Sequence, residues 1–123
     1  MQNIPQITDA ELEVMKIIWD RHPVSTNEIV DALEGKTSWN NRTIHTLISR
    51  LEKKGAISHT KDGRIFIYSP SVNREEYVSC ASRSFINRFY NGAVSKMIMN
   101  FVENDMLTDE DIQELRDILQ KRE

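Results

Sequence analysis

Arg42, Thr46, Ser49 and Lys53 recur at steps of four, three and four residues. At about 100° per residue they share one face of a helix. His45 and Arg50 flank that face, and Asn41 and Thr43 stand at its start. Side chains of these types donate to phosphate oxygens and to base edges. Arg42 suits a bidentate contact to guanine, and the Thr46 methyl suits the methyl of thymine. Ile44, Leu47, Ile48 and Leu51 form the opposite stripe and must face a core. Glu52 is the one acidic residue of this helix. The predicted DNA-binding set is therefore Asn41, Arg42, Thr43, His45, Thr46, Ser49, Arg50 and Lys53, joined by Lys61 and Arg64 from the segment that follows, where His59 and Thr60 also lie.

Catalytic chemistry finds no such constellation. His22, His45 and His59 fall in three separate elements, and no paired His or Cys has metal-ligand spacing. The acidic run Asp105, Asp109, Glu110, Asp111 and Glu114 lacks the spacing of a calcium loop and suits the start of a helix. No glycine-rich phosphate loop or nucleophile elbow is present. The expectation is no catalytic residue, no metal, no cofactor and no small-molecule substrate. Cys80 is the single cysteine, which excludes an internal disulfide and fits a reducing, cytoplasmic location. No apolar run is long enough to span a bilayer, and the N-terminus does not read as a signal peptide.

Charge is distributed unevenly along the 123 residues. The net charge is −3, yet residues 40–64 hold six basic groups (Arg42, Arg50, Lys53, Lys54, Lys61, Arg64) against Glu52 and Asp62. That local excess, flanked by acidic stretches on both sides, is the electrostatic footprint of a polyanion-binding surface.

The elements that position these groups are marked by their starts. Thr8 with Glu11, Ser25 with Glu28 and Asn73 with Glu76 have capping-box spacing, each bracketed by apolar residues. Asn40 and Thr108 are looser versions, with Asp111 in the reciprocal place after Thr108. Gly35, Gly55 and Gly92 stand where C-caps with positive φ are expected. Helices are predicted near 9–20, 26–34, 41–54, 74–90, 93–103 and 109–121. Between Gly55 and Pro70 the period changes to two, predicting a β-hairpin of Ile57–Thr60 and Arg64–Tyr68 around a Lys61-Asp62-Gly63 turn. Helix, helix, helix, hairpin is the order of a winged helix. The fold class is mainly α with a small β-hairpin wing: a winged helix-turn-helix DNA-binding domain at 1–72, then a helical domain at 73–123.

The second part carries three apolar stripes. Tyr77, Ala81, Phe85, Phe89 and Tyr90 form one; Val94, Met97, Ile98, Phe101 and Val102 another; Ile112, Leu115, Ile118 and Leu119 the third. About fifty residues cannot bury so much apolar surface alone. A second copy is the expected cover, which makes this a dimerisation domain with Phe85, Phe89, Val94, Met97, Ile98, Phe101, Val102, Ile112, Leu115, Ile118 and Leu119 at the interface. Two further classes stay open: a ligand-responsive winged-helix regulator, which needs a cavity, and a winged-helix protein–protein adaptor, which the donor-rich face of the third helix disfavours.

The runs ITDAELEVMKIIW, TIHTLISRLEKKGAISH and FINRFYNGAVSKMIMNFVEND, spread over nearly the whole chain, resemble the penicillinase repressor (BlaI/MecI) family. The resemblance implies a homodimeric transcriptional repressor that binds an inverted-repeat operator in double-stranded DNA and silences β-lactamase or related resistance genes. It also implies a membrane-bound sensor-transducer metallopeptidase as partner, with the block lifted when the repressor is cut between Asn100 and Phe101. The family's usual Ser-Pro-Lys/Arg-Thr at the start of the third helix is here Asn40-Asn41-Arg42-Thr43. The cysteine-rich C-terminal motif of copper-responsive relatives is not found in LRDILQKRE.

Overall fold

The computed structural model describes residues 4–122. In chain order the elements are α1 (Asp9–Arg21), β1 (Val24–Ser25), α2 (Thr26–Glu34), α3 (Asn41–Lys53), β2 (Ile57–Asp62), β3 (Ile65–Pro70), α4 (Arg74–Tyr90), α5 (Val94–Glu103) and α6 (Asp109–Lys121). They fall into two compact units, Met1–Cys80 and Ala81–Glu123. The division lies inside α4 rather than at 72/73. Tyr77 explains the difference: its ring packs 5.8 Å from Trp19, and its hydroxyl donates to the Ile7 carbonyl at 3.4 Å. Trp19 in turn donates to the Val72 carbonyl at 2.9 Å. The first turns of α4 thus belong with the winged helix, and Tyr77 leaves the stripe assigned to it above.

The helix starts follow from their caps. Thr8, Ser25 and Thr108 each accept the backbone N–H three residues on, and Glu11, Glu28 and Asp111 return the bond to the cap residue's own N–H. Asn40 accepts from the Thr43 amide at 2.9 Å, so α3 begins without the help of a proline. Gly55 ends α3 with φ of +81°: its amide donates to the Glu52 carbonyl, and the Ala56 amide to Leu51. This Schellman arrangement needs the glycine, because a left-handed residue there pays no Cβ penalty. Gly35 differs from expectation. It lies at the end of α2 in the right-handed region with φ of −76° and needs no such freedom.

The sheet has three strands, where the sequence suggested two. The order is β1-β3-β2, all antiparallel, with Val24 opposite Tyr68 and Ser25 opposite Ile67. A two-residue strand is too short to show a period-two pattern, and Ser25 serves as both strand end and α2 cap. The hairpin turn is also one residue later than expected: Asp62 pairs with Ile65, leaving Gly63-Arg64 as the loop. Gly63 alone of the two has positive φ, the pattern of a type II′ turn.

One core joins these elements. Val14, Met15, Ile18, Val24, Ile29, Ile44, Leu51 and Ala56 are fully enclosed, with Leu47, Ile48, Ile57 and Tyr68 closing the sides. A carboxylate lies among them: Glu11 is 1% exposed. It accepts from its Thr8 amide and from the Lys54 ammonium at the end of α3, which also donates to the Gln6 carbonyl at 2.9 Å. Burial alone would raise the Glu11 pKa. The Lys54 hydrogen bond and charge, with the Thr8 amide and hydroxyl, outweigh it and hold the carboxyl below its ordinary value of 4.5.

A depressed folded pKa means that Glu11 contributes stability above its ordinary value and loses that contribution as pH falls through the folded one. Glu11→Ala, which strands the Lys54 charge, should cost about 3 kcal/mol in denaturant unfolding at neutral pH. The difference from wild type should shrink as pH is lowered through the carboxylate range. A constant difference between pH 7 and pH 3 would remove Glu11 from this role.

Candidate nucleic-acid interface

The apolar stripe of α3 sorts its remaining residues by default. Ile44, Leu47, Ile48 and Leu51 are buried, so residues half a turn away must face solvent. Asn41, Arg42, Thr43, His45, Thr46, Ser49, Arg50 and Lys53 are all exposed, as are Lys61 and Arg64 on the hairpin. Among these, Thr46 has a committed group: its hydroxyl donates to the Arg42 carbonyl at 3.0 Å. That bond fixes the rotamer and leaves the methyl and one oxygen lone pair for a base edge. None of the ten is joined to a carboxylate by a salt bridge among the described residues.

Two ionised groups in this stretch are spent inside the protein. Lys54, which counts toward the local positive charge, is the partner of buried Glu11. Glu52, the acidic residue of α3, accepts from the Nδ1 of His59 on β2. His59 is therefore tied to α3 through its Nδ1. Its ring sits 4.7 Å from Phe66 and 5.7 Å from Tyr68, and the Lys61 ammonium lies 5.2 Å from the Phe66 centroid. Burial, followed by the nearby Glu52 charge, raises the Tyr68 phenol pKa. The phenol stays neutral at the root of the wing. The only cue to this cluster in the sequence was the period-two spacing of His59 with Lys61 and of Phe66 with Tyr68.

Helices α4, α5 and α6 contribute no buried residue within one chain. Phe89 is 61% exposed, Ile118 57% and Leu119 62%; Phe85, Val94, Ile98, Val102 and Leu115 are also exposed. Met97, Phe101 and Ile112 are half-buried. Asn100 lies in α5, where its carbonyl accepts both the amide (3.1 Å) and the side-chain amide (2.8 Å) of Asn104, and its own side chain accepts from the Tyr90 hydroxyl at 3.2 Å. Cys80 is exposed.

No cluster suited to a metal ion occurs among the described residues, and no helix there is long and apolar enough to cross a membrane. A cleft of about 820 Å³ opens beside Trp19, Arg21, Lys36 and Arg74. No buried side-chain polar atom in the described residues lacks a hydrogen-bond partner.

Two helices carrying a third, whose donor-rich face is open beside a basic β-hairpin, define a winged helix-turn-helix DNA-binding protein. The chain belongs to the penicillinase repressor family, whose model matches residues 7–121; it is a DNA-binding repressor and not an enzyme. It is 49% identical over 121 residues to a penicillinase repressor of Bacillus licheniformis, covering 98% of this chain and 94% of that one. Its identity with the methicillin resistance regulatory protein MecI of Staphylococcus aureus (strain N315) is 41% over 117 residues, 95% of each. Among solved structures it resembles the DNA-binding domain of the repressor BlaI (TM-score 0.57) and the monomeric form of Bacillus licheniformis BlaI in complex with the blaP half-operator (TM-score 0.56). Both are 48% identical and cover 63% of this chain and 94% of the matched chain.

The geometry predicts separable roles. Arg42→Ala and Thr46→Ala should each cost roughly 1–3 kcal/mol on the preferred site and flatten the preference at one base position. Lys53→Ala and Arg64→Ala should weaken all sequences alike and lower the salt slope by about one each. Titration of preferred and random duplexes over a salt series distinguishes the two groups. Equal losses on both duplexes for Arg42→Ala would reassign Arg42 to the phosphates.

Proposed function

We propose that the protein is a cytoplasmic homodimer that binds an inverted-repeat operator, represses β-lactamase or related resistance genes, and is inactivated by cleavage between Asn100 and Phe101 through a membrane-bound sensor metallopeptidase. The observation that carries the reading is the pairing, in one chain, of an open donor-rich recognition helix with a tail whose apolar stripes lack cover. Residues Asn41, Arg42, Thr43, His45, Thr46, Ser49 and Arg50 meet base edges and neighbouring phosphates. Lys53, Lys61 and Arg64 meet backbone only. The exposed stripes of α4, α5 and α6 meet their counterparts in a second copy, so the two heads read successive major grooves and the half-sites lie about one helical turn or a multiple apart. Kinship with penicillinase and methicillin resistance regulators supports resistance genes as the target.

The cleavage reading draws on the family resemblance, and the local geometry adds a condition to it. The bond to be cut lies within α5, with its carbonyl holding two donors from Asn104. A peptidase needs extended backbone and a free carbonyl, so the end of α5 must open first. Cutting removes residues 101–123 and with them Phe101 and Val102 of the α5 stripe and the whole of the α6 stripe, and leaves that of α4.

Ile98→Asp places a charge in the proposed interface without a partner and should shift sedimentation from dimer to monomer. A sedimentation profile identical to wild type at the same concentration would remove α5 from the interface. A chain ending at Asn100 should be folded, largely monomeric and able to bind one half-site about as well as the intact protein, while losing roughly 10²–10⁴-fold on the full operator. Undiminished binding of the full operator by that chain would exclude this bond as the switch.

A further inference from the structure

Glu52 is an odd residue to find on a DNA-binding helix. It stands one position before Lys53 in a stretch otherwise rich in donors, and a carboxylate near phosphates opposes binding. Its Oε2 instead accepts from His59 Nδ1; since a carboxylate only accepts, that nitrogen carries the proton. We propose that Glu52 and His59 are positioning residues for DNA binding: their pair ties the wing to the last turn of the recognition helix and holds Lys61 on the side where α3 meets the same duplex.

The sheet topology shows why such a tie is needed. β1 pairs only with Ile67 and Tyr68, so the hairpin beyond them, from Lys61 to Phe66, has two strands and no third. A two-stranded ribbon is marginal alone and takes its direction from what anchors its root. Directly opposed residues share a face, so His59 with Tyr68 and Lys61 with Phe66 lie on one side of the hairpin. The contact of His59 with Glu52 makes that side the one turned to α3. Phe66 then bridges the two side chains, its ring 4.7 Å from His59 and 5.2 Å from the Lys61 ammonium. Glu52 therefore acts through His59 and Phe66 on Lys61. The inference needs only the DNA binding of one head, and stands whether or not the operator, dimer and cleavage proposed above are correct.

The test is binding of the full-length protein to a short random-sequence duplex over a salt series, with melting curves for each variant. Glu52→Ala and His59→Ala should each weaken binding several-fold and lower the salt slope by about one, the share of one phosphate contact. Lys61→Ala added to Glu52→Ala should change little more. Glu52→Gln keeps an oxygen that accepts from His59 while removing the charge, so it should retain the slope and bind at least as well as wild type. Loss of a negative charge alone predicts the opposite for Glu52→Ala: tighter binding with an unchanged slope, and that outcome would overturn the proposal. If Glu52→Ala does not fold, the contrast between His59→Ala and Glu52→Gln decides in the same way: equal slopes in the two would overturn it.

Discussion

A carboxylate enclosed among aliphatic side chains is stable only where every partner is in place, and the head is organised around one such group. Glu11 belongs to two structures at once. As the third residue of α1 it closes the capping box with Thr8; as a buried anion it receives the Lys54 ammonium from the far end of α3. Lys54 is the C-cap of α3, and the next residue, Gly55, turns the chain into β2. The ion pair therefore sets where the recognition helix stops relative to where α1 starts. The direction of α3, the origin of the wing and the place of the hairpin all follow from that junction. A burial cost that two aliphatic residues would avoid buys a fixed register between these elements.

Charge in the DNA-reading region is accordingly not one quantity but two. The six basic residues of 40–64 make a favourable field, yet Lys54 is committed to Glu11 and cannot also meet DNA. On the other side of the ledger Glu52 is committed to His59 and is turned toward the hairpin. What remains exposed on α3 and the hairpin is dominated by donors: Arg42, Arg50, Lys53, Lys61 and Arg64, with short polar groups between them. Net charge predicts attraction to a polyanion. Which groups are already paired decides which can make contacts.

How much of this was legible depends on how local the cause is. The helix bounds came close because caps are short-range: Thr8 with Glu11, Ser25 with Glu28 and Thr108 with Asp111 lie three residues apart, and each forms the reciprocal bond that its spacing implied. The exposure of the eight predicted contact residues on α3 followed from one buried stripe and helical geometry. The pairing of β1 with β3 joins residues more than forty positions apart, and two residues carry no periodic signature. Tyr77 was assigned to the tail by its spacing from Ala81 and Phe85, but Trp19 and Ile7, distant in sequence, claim it for the head. Glu52 with His59 is only seven residues apart; its cue was missing because a Schellman turn intervenes and reverses the chain.

That Tyr77 belongs to the head bears on how a cut at Asn100 would work as a switch. The core of the DNA-binding unit is drawn from residues before 81: Val72 is buried, and Tyr77 packs against Trp19 and the core. Loss of residues 101–123 therefore removes no side chain from the surface that meets DNA. On the proposed reading, what is lost is the physical link between two heads. Each head's contacts stay as they were, but the second half-site is no longer met at the millimolar effective concentration that a short tether supplies. Such a switch is irreversible for the molecule cut, and it needs no conformational signal to travel from the tail to α3. A protein built in this way gains most if its heads bind weakly alone, because only then does cutting the tether empty the operator.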